Sequence, residues 1–165
     1  MTYYDTIALG YNELHSEEQL RKLRIIANEL KPKHGKWLLD VGCGTGLSER
    51  VFGKSGCEMG GVEPSKELAK LSKFKVYISK AEEMPLPTGF FDFVICVTAL
   101  HNFTNAEKGL KEMKRVAKQG AKLAITILKK SPKSASLRAL IEKTFKINKE
   151  VEEASDLIFI AEKRL

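Results

Sequence analysis

The amino-acid sequence predicts an α/β fold: a mostly parallel sheet with helices on both faces and one antiparallel strand at the C-terminal end. Three observations predict it. Strand-length apolar runs alternate with helical patterns through about residue 145, the order that builds a parallel sheet through right-handed crossovers. The run Phe91-Asp92-Phe93-Val94-Ile95-Cys96-Val97-Thr98 is nearly continuously apolar, as a strand buried on both faces should be. The last two strand candidates, 146–151 and 156–163, are too close for a crossover helix, so they pair as a hairpin.

Each element has its own signal. Ser16-Glu17-Glu18-Gln19 can cap a helix running to Lys31, with Leu20, Leu23, Ile26, Ala27 and Leu30 on one face. Pro32 and Gly35 end it. Strand one spans 36–42, and a helix follows over 47–54, closed by Gly56. Strand two spans 57–63, with Pro64 opening the next helix. Strand three spans 75–80 and strand four 91–98. A helix over 105–118 turns Leu110, Met113 and Ala117 inward and is closed by Gly120. Strand five spans 121–129, and a helix follows over 134–145. At 165 residues, without repeats, the chain reads as one domain, 1–165.

The chemistry begins at Trp37-Leu38-Leu39-Asp40-Val41-Gly42-Cys43-Gly44-Thr45-Gly46, a strand running into a glycine-rich turn. Glycine suits positive φ and close approach of a ligand to the backbone. Such a turn, with a helix behind it, makes a nucleotide pocket at the carboxyl edge of a parallel sheet. The dinucleotide fingerprint needs a third glycine where Leu47 stands, which argues against NAD. There is no G-x-x-x-x-G-K-[ST], which argues against ATP in a P-loop.

Asp-Val-Gly-Cys-Gly-Thr-Gly resembles motif I of the class I S-adenosylmethionine-dependent methyltransferases, whose Rossmann-like fold matches the prediction above. Three further blocks follow in the family's order: Met59-Gly60-Gly61-Val62-Glu63-Pro64-Ser65, then Ala81-Glu82-Glu83-Met84-Pro85-Leu86-Pro87 with Phe90-Phe91-Asp92-Phe93-Val94-Ile95, then Thr98-Ala99-Leu100-His101-Asn102-Phe103. The likeness covers roughly residues 1–130. It implies S-adenosyl-L-methionine as cofactor, held by Asp40, Gly42, Cys43, Gly44, Gly46, Glu63, Pro64, Ala81, Glu82, Thr98 and Tyr11. Asp40 would orient the loop or receive the cofactor's ammonium through water. Glu63 would accept both ribose hydroxyls. The family usually carries Asp before Ala-Glu to read the adenine amine; here Lys80 stands there and cannot accept a hydrogen bond. Either Glu82 or a backbone carbonyl takes that part, or the correspondence is shifted by one residue. The segment 1–34 would cover the cofactor; Tyr3, Tyr4 and Tyr11 either face it, with Tyr4 toward the substrate, or are packing aromatics.

Methyl transfer from a sulfonium needs no metal; it needs alignment, and a base where the nucleophile starts protonated. His101, just past strand four, is the best placed titratable group, with a purely structural histidine as the other reading. No Asn/Asp-Pro-Pro-aromatic motif follows strand four, which disfavours exocyclic amines of bases. Cys96 lies inside the strand without a preceding proline, which rejects C5-pyrimidine chemistry. Cys43, Cys57 and Cys96 have no metal-ligand spacing and read as small hydrophobes.

The formal net charge is +7, and ten basic residues with one acid, Glu112, lie between Lys108 and Arg138. Lys129, Lys130 and Lys133 follow strand five, on the edge that carries the cofactor pocket, and are substrate-binding candidates for a phosphate backbone. The bland alternative is a thermophile's solvated surface, since the chain has 22 Lys and 17 Glu but two Gln. The start lacks a signal pattern and no apolar run reaches membrane length, which reads as a cytoplasmic protein without a membrane partner. Three classes stay open: a methyltransferase of RNA (rRNA or tRNA), one of a small metabolite, and a non-catalytic cofactor-binding partner subunit.

Overall fold

The structure, a computed structural model, describes residues 3–164, and of residues 3–14 the backbone alone. Seven strands form one sheet: β1 (Trp37–Val41), β2 (Glu58–Glu63), β3 (Lys75–Ile78), β4 (Phe91–Cys96), β5 (Ala117–Leu128), β6 (Lys146–Glu153) and β7 (Asp156–Glu162). Their order is β3-β2-β1-β4-β5-β7-β6. The first five are parallel, and β7 runs antiparallel between β5 and β6. The order reverses direction between β1 and β4, and ligands of open α/β sheets bind at that switch, beyond the carboxyl ends of the strands.

Helices cover both faces, as the alternating pattern predicts. On one side α1 (Tyr3–Leu30) and the short α2 (Glu49–Phe52) bury Leu23, Ile26, Leu30 and Phe52 against Leu38, Phe93, Ile95 and Ile160. On the other, α4 (Ala106–Val116) and α5 (Ser134–Thr144) bury Leu110, Met113, Leu137 and Ile141 against Leu39, Val94, Leu123 and Ile125. The remaining helix, α3 (Lys66–Ala69), follows β2.

Several boundaries depart from the sequence prediction, and β5 begins at Ala117, expected on the inward face of a helix, and not at 121. Helix α1 starts at Tyr3, not at Ser16, because no proline interrupts residues 3–15 and the isolated Gly10 is tolerated. The proposed cap at Ser16 therefore lies mid-helix. Ser65, not Pro64, caps α3, its hydroxyl accepting from the Leu68 N–H. Helix α4 stops at Val116, and Gly120, at φ +76°, lies within β5. There the register slips between Phe91↔Ala117 and Phe93↔Lys122, so this glycine serves a strand irregularity and not a helix end. Strand β4 stops at Cys96, shortly before Thr98 enters the left-handed region at φ +53°.

Candidate active site

A cleft of about 350 Å³ opens at the carboxyl edge beside the switch point. Gly42, Val62, Glu63, Pro64 and Leu68 form one wall; Ala99, Asn102, Phe103 and Thr104 form another; Lys80, Ala81, Glu82 and Thr98 complete it. Six sequence-predicted cofactor residues thus converge: Gly42, Glu63, Pro64, Ala81, Glu82 and Thr98. The glycine turn is built for close approach. Gly42 has φ +72°, and a Cβ there would sit 2.6 Å from the Ala99 Cβ. Gly44 has φ +55°, and a Cβ there would meet nothing within 4 Å, which leaves room for a ligand against its backbone.

The other predicted residues stand behind that turn. Asp40 is buried, and Ser48 Oγ donates to its Oδ2 at 2.6 Å. Burial, partly offset by the Ser48 bond and reinforced by nearby Glu63, pushes its carboxyl up to about 6. Of the two roles inferred for it, the geometry favours orienting the loop. Cys43 packs its sulfur toward Gly61, where a Cβ would lie 2.7 Å from Sγ. Its thiol, like that of buried Cys96, is pushed up by desolvation, so both are inert hydrophobes. A Cβ at Gly46 would meet Ser72 Oγ at 2.5 Å, so that glycine serves packing.

Glu63 does more than line the cleft. Its Oε1 accepts from the Gly44 N–H at 3.0 Å and its Oε2 from the Ser65 N–H at 2.8 Å. The carboxylate therefore locks the glycine turn to the end of β2, and each oxygen retains capacity for a further donor. Glu82 Oε2 accepts from the Asn105 N–H at 3.0 Å, tying the loop after β3 to the start of α4. The next stretch is braced by Arg115, which donates to the carbonyls of Leu86 and Met84 at 2.8 and 3.0 Å. Lys80 does line the cleft, so no carboxylate of residue 80 is offered to a base there.

His101 sits half-buried in a 3-10 turn, Leu100–Asn102, between the cleft residues Ala99 and Asn102. Its Nδ1 is buried and, among the described residues, has no hydrogen-bond partner. Desolvation first, then the Lys133 and Lys22 charges, hold its imidazole below the ordinary range, with Asp156 opposing. That shift favours the neutral imidazole, which has a nitrogen able to take a proton.

The lysine rim is less open than the sequence implies. Lys133 Nζ donates to the His101 carbonyl at 3.0 Å. Lys129 pairs with Glu152 at 2.7 Å and donates to the Ala154 carbonyl at 2.8 Å. Lys130 is exposed. The remaining basic residues of 108–138 are dispersed: Lys118 pairs with Asp92 at the opposite edge of the sheet, and Arg138 pairs with Glu150. The side chains of Tyr3, Tyr4 and Tyr11 lie outside the described residues.

Sequence reading missed a buried polar cluster at the end of β4. Lys22, Thr126 and Asp156 are buried there. Lys22 Nζ donates to Thr98 Oγ1 at 2.8 Å and pairs with Asp156 Oδ1 at 3.0 Å. The Thr98 hydroxyl lies 3.2 Å from Asp156 Oδ2 and from Gln19 Oε1, and the Thr98 N–H donates to Thr126 Oγ1 at 2.7 Å. A signal existed: Lys22 falls one turn before Ile26 on the apolar stripe of α1. A β-branched residue at positive φ is strained by about 1–3 kcal/mol, and such strain persists where its surroundings over-determine it.

No group of His, Cys, Asp and Glu able to hold a metal occurs among the described residues, and none of their helices is long and apolar enough to cross a membrane.

Comparison with known proteins agrees with this geometry. A family model described as a methyltransferase domain matches residues 39–125, just over half of the chain. An uncharacterized protein of Methanocaldococcus jannaschii is 31% identical over 131 residues, covering 76% of this chain and 50% of that protein. A ubiquinone/menaquinone biosynthesis C-methyltransferase of Geotalea uraniireducens is 31% identical over 140 residues, covering 74% of this chain and 60% of its own. The chain spans about half the length of the curated relatives it matches. Among solved structures, an S-adenosylmethionine-dependent methyltransferase from Aquifex aeolicus superposes with TM-score 0.76 at 22% identity, covering 86% of this chain and 89% of that one. A methyltransferase described as putative, in complex with the Haloferax volcanii Trm112 activator, superposes with TM-score 0.83 at 12% identity, covering 100% of this chain and 99% of the other. The fold likeness and the glycine turn at the switch point carry the same message as the family match, and the chain belongs to the class I S-adenosylmethionine-dependent methyltransferases.

Proposed function

We propose that this chain is a single catalytic domain that binds S-adenosylmethionine in the cleft at Gly42 and Glu63 and methylates structured RNA, ribosomal or transfer, at the edge beside His101. The residues fit the cofactor. Gly42 and Gly44 leave backbone free for its methionyl part, Glu63 has acceptor capacity for ribose hydroxyls, and Ala81, Phe103 and Leu68 offer apolar surface for a base. When bound, the cofactor supplies an electrophilic methyl whose bonding electrons leave with sulfur. Helix α1 packs against α2, and none of its described residues lines the cleft. His101, in the turn between Ala99 and Asn102 and with its imidazole held below the ordinary range, is the residue that takes the acceptor's proton.

The observation that carries the RNA reading is the position of Lys133, whose ammonium meets the His101 carbonyl at 3.0 Å, with exposed Lys130 nearby in sequence on the same edge. Phosphates contacted there would bring a base to His101. A small-metabolite acceptor is the second reading, favoured by the quinone-pathway name of a relative and by the neutralisation of Lys129 by Glu152. The paired neighbour from Haloferax also raises a protein activator as a candidate partner. The test is transfer of a labelled methyl group from S-adenosylmethionine to total RNA and, separately, to a small-molecule extract. Under the RNA reading, Lys130→Glu with Lys133→Glu abolishes RNA labelling while cofactor affinity holds, and RNA binding weakens steeply with salt. Undiminished RNA labelling by that variant refutes the phosphate role; label entering only the extract refutes RNA.

A further inference from the structure

We infer that Lys22, with Asp156, Gln19 and Thr126, is a positioning device that holds Thr98 in its left-handed conformation and thereby sets one wall of the cofactor cleft. The reasons start at Thr98, just past the end of β4. Left-handed backbone is rare for a β-branched residue, and here φ is +53°. The next five residues take their course from that turn. Ala99 comes against Gly42 so closely that a Cβ on the glycine would lie 2.6 Å away. The 3-10 turn Leu100–Asn102 then presents His101 at the edge, and Ala99, Asn102 and Phe103 line the cleft. With ordinary β-region backbone at Thr98, this whole segment would leave the cleft.

Three separate elements converge on this one residue. From α1 come Lys22, at 2.8 Å, and Gln19, at 3.2 Å, both on the Thr98 hydroxyl. From β5, Thr126 Oγ1 accepts the Thr98 N–H at 2.7 Å. From β7, Asp156 reaches the hydroxyl at 3.2 Å through one oxygen and Lys22 at 3.0 Å through the other. The threonine hydroxyl is thus turned toward the cluster. The side chains of Lys22 and Asp156 are 6% and 1% exposed. A buried ion pair of this kind is a poor source of stability but an effective way to fix one geometry. Asp156 sits opposite Leu128 in register, so β7 delivers the carboxylate to the carboxyl edge, where the cleft is. The N-terminal helix is in this way tied mechanically to the cofactor wall, although none of its described residues lines that cleft.

This inference rests on the cleft being the cofactor site, and the test separates the two. S-adenosylhomocysteine affinity is measured by titration calorimetry, with thermal midpoints alongside, for the parent and for Lys22→Met, Thr126→Val, Lys22→Met/Thr98→Gly and Glu63→Ala. Glycine enters the left-handed region without strain, so it should replace the device. Lys22→Met and Thr126→Val are expected to raise the dissociation constant tenfold or more. Adding Thr98→Gly to Lys22→Met should return it to within threefold of the parent while the midpoint stays low. Thr126→Val keeps the ion pair and guards against Lys22→Met failing to fold. Parent-like affinity in both single variants, or a double variant as weak as Lys22→Met, overturns the inference. If Glu63→Ala also binds like the parent, it is the location of the cofactor site that has failed.

Discussion

Replacing Asp40 with asparagine should shift the stability of the ligand-free protein in the variant's favour as pH rises from acid to neutral. Asp40 is buried with a carboxyl raised from 3.8 to about 6. Because the folded value lies above the unfolded one, the group favours the folded state fully below about pH 4, and that contribution is lost as pH rises through about 6. Beyond pH 6 the difference corresponds to about 3 kcal/mol of cost to the ionised, buried form. The substituted amide does not titrate, and every other carboxylate is common to variant and parent and cancels. The stability gap should therefore widen in the variant's favour by about 3 kcal/mol between pH 4 and pH 8, or roughly 6–12 °C in thermal midpoint for a chain of this size. The Ser48 bond can be kept through the amide oxygen, although an amide NH2 without an acceptor would lower the absolute stability at every pH. Differential scanning calorimetry of the ligand-free proteins across that range decides it. A gap independent of pH would refute the assignment of Asp40 as a buried carboxylate whose ionisation costs the folded state.

Glu63→Ala should weaken S-adenosylhomocysteine binding by about 1–3 kcal/mol, since it removes a charged acceptor and frees the Gly44 and Ser65 N–H groups; calorimetric titration reads it directly. Gly42→Ala combines a Cβ 2.6 Å from Ala99 with φ +72°, and should cost about 1–3 kcal/mol of stability together with cofactor binding, read by urea unfolding and titration. Lys133→Met removes a positive charge that depresses His101, so the histidine's titration, followed by proton NMR of its ring, should move to higher pH. The acidic limb of methyl transfer should move with it if His101 is the base.

The fold was legible because its signals are local and redundant. The β4 run is apolar throughout since both faces are covered, and the final hairpin follows from the short link between its strands. The cleft was legible in part, because the glycine turn and Glu63 are contiguous with strands whose ends meet at the switch point. Sequence reading went astray where a residue's meaning depends on distant partners. Gly120 reads as a helix stop from its neighbours alone, yet its conformation serves the pairing of β5 with β4.

The charges show the same limit most clearly. Ten basic residues between Lys108 and Arg138 look like one surface when counted along the chain. In the fold, β5 carries them from one end of the sheet to the other, and acids from β4 and β6 neutralise several: Asp92 takes Lys118, Glu150 takes Arg138 and Glu152 takes Lys129. Linear density therefore overstates the field at the site, where Lys130 and Lys133 are what remains of the predicted rim. Lys22 is the converse case. It is one lysine among 22 in the sequence, yet it lies buried against Asp156, 134 residues away. Its cost in desolvation would be hard to explain as a contribution to stability. It is explained if the geometry at Thr98 is what the ion pair maintains, since that geometry brings Ala99 to Gly42 and carries Asn102 and Phe103 into the cleft.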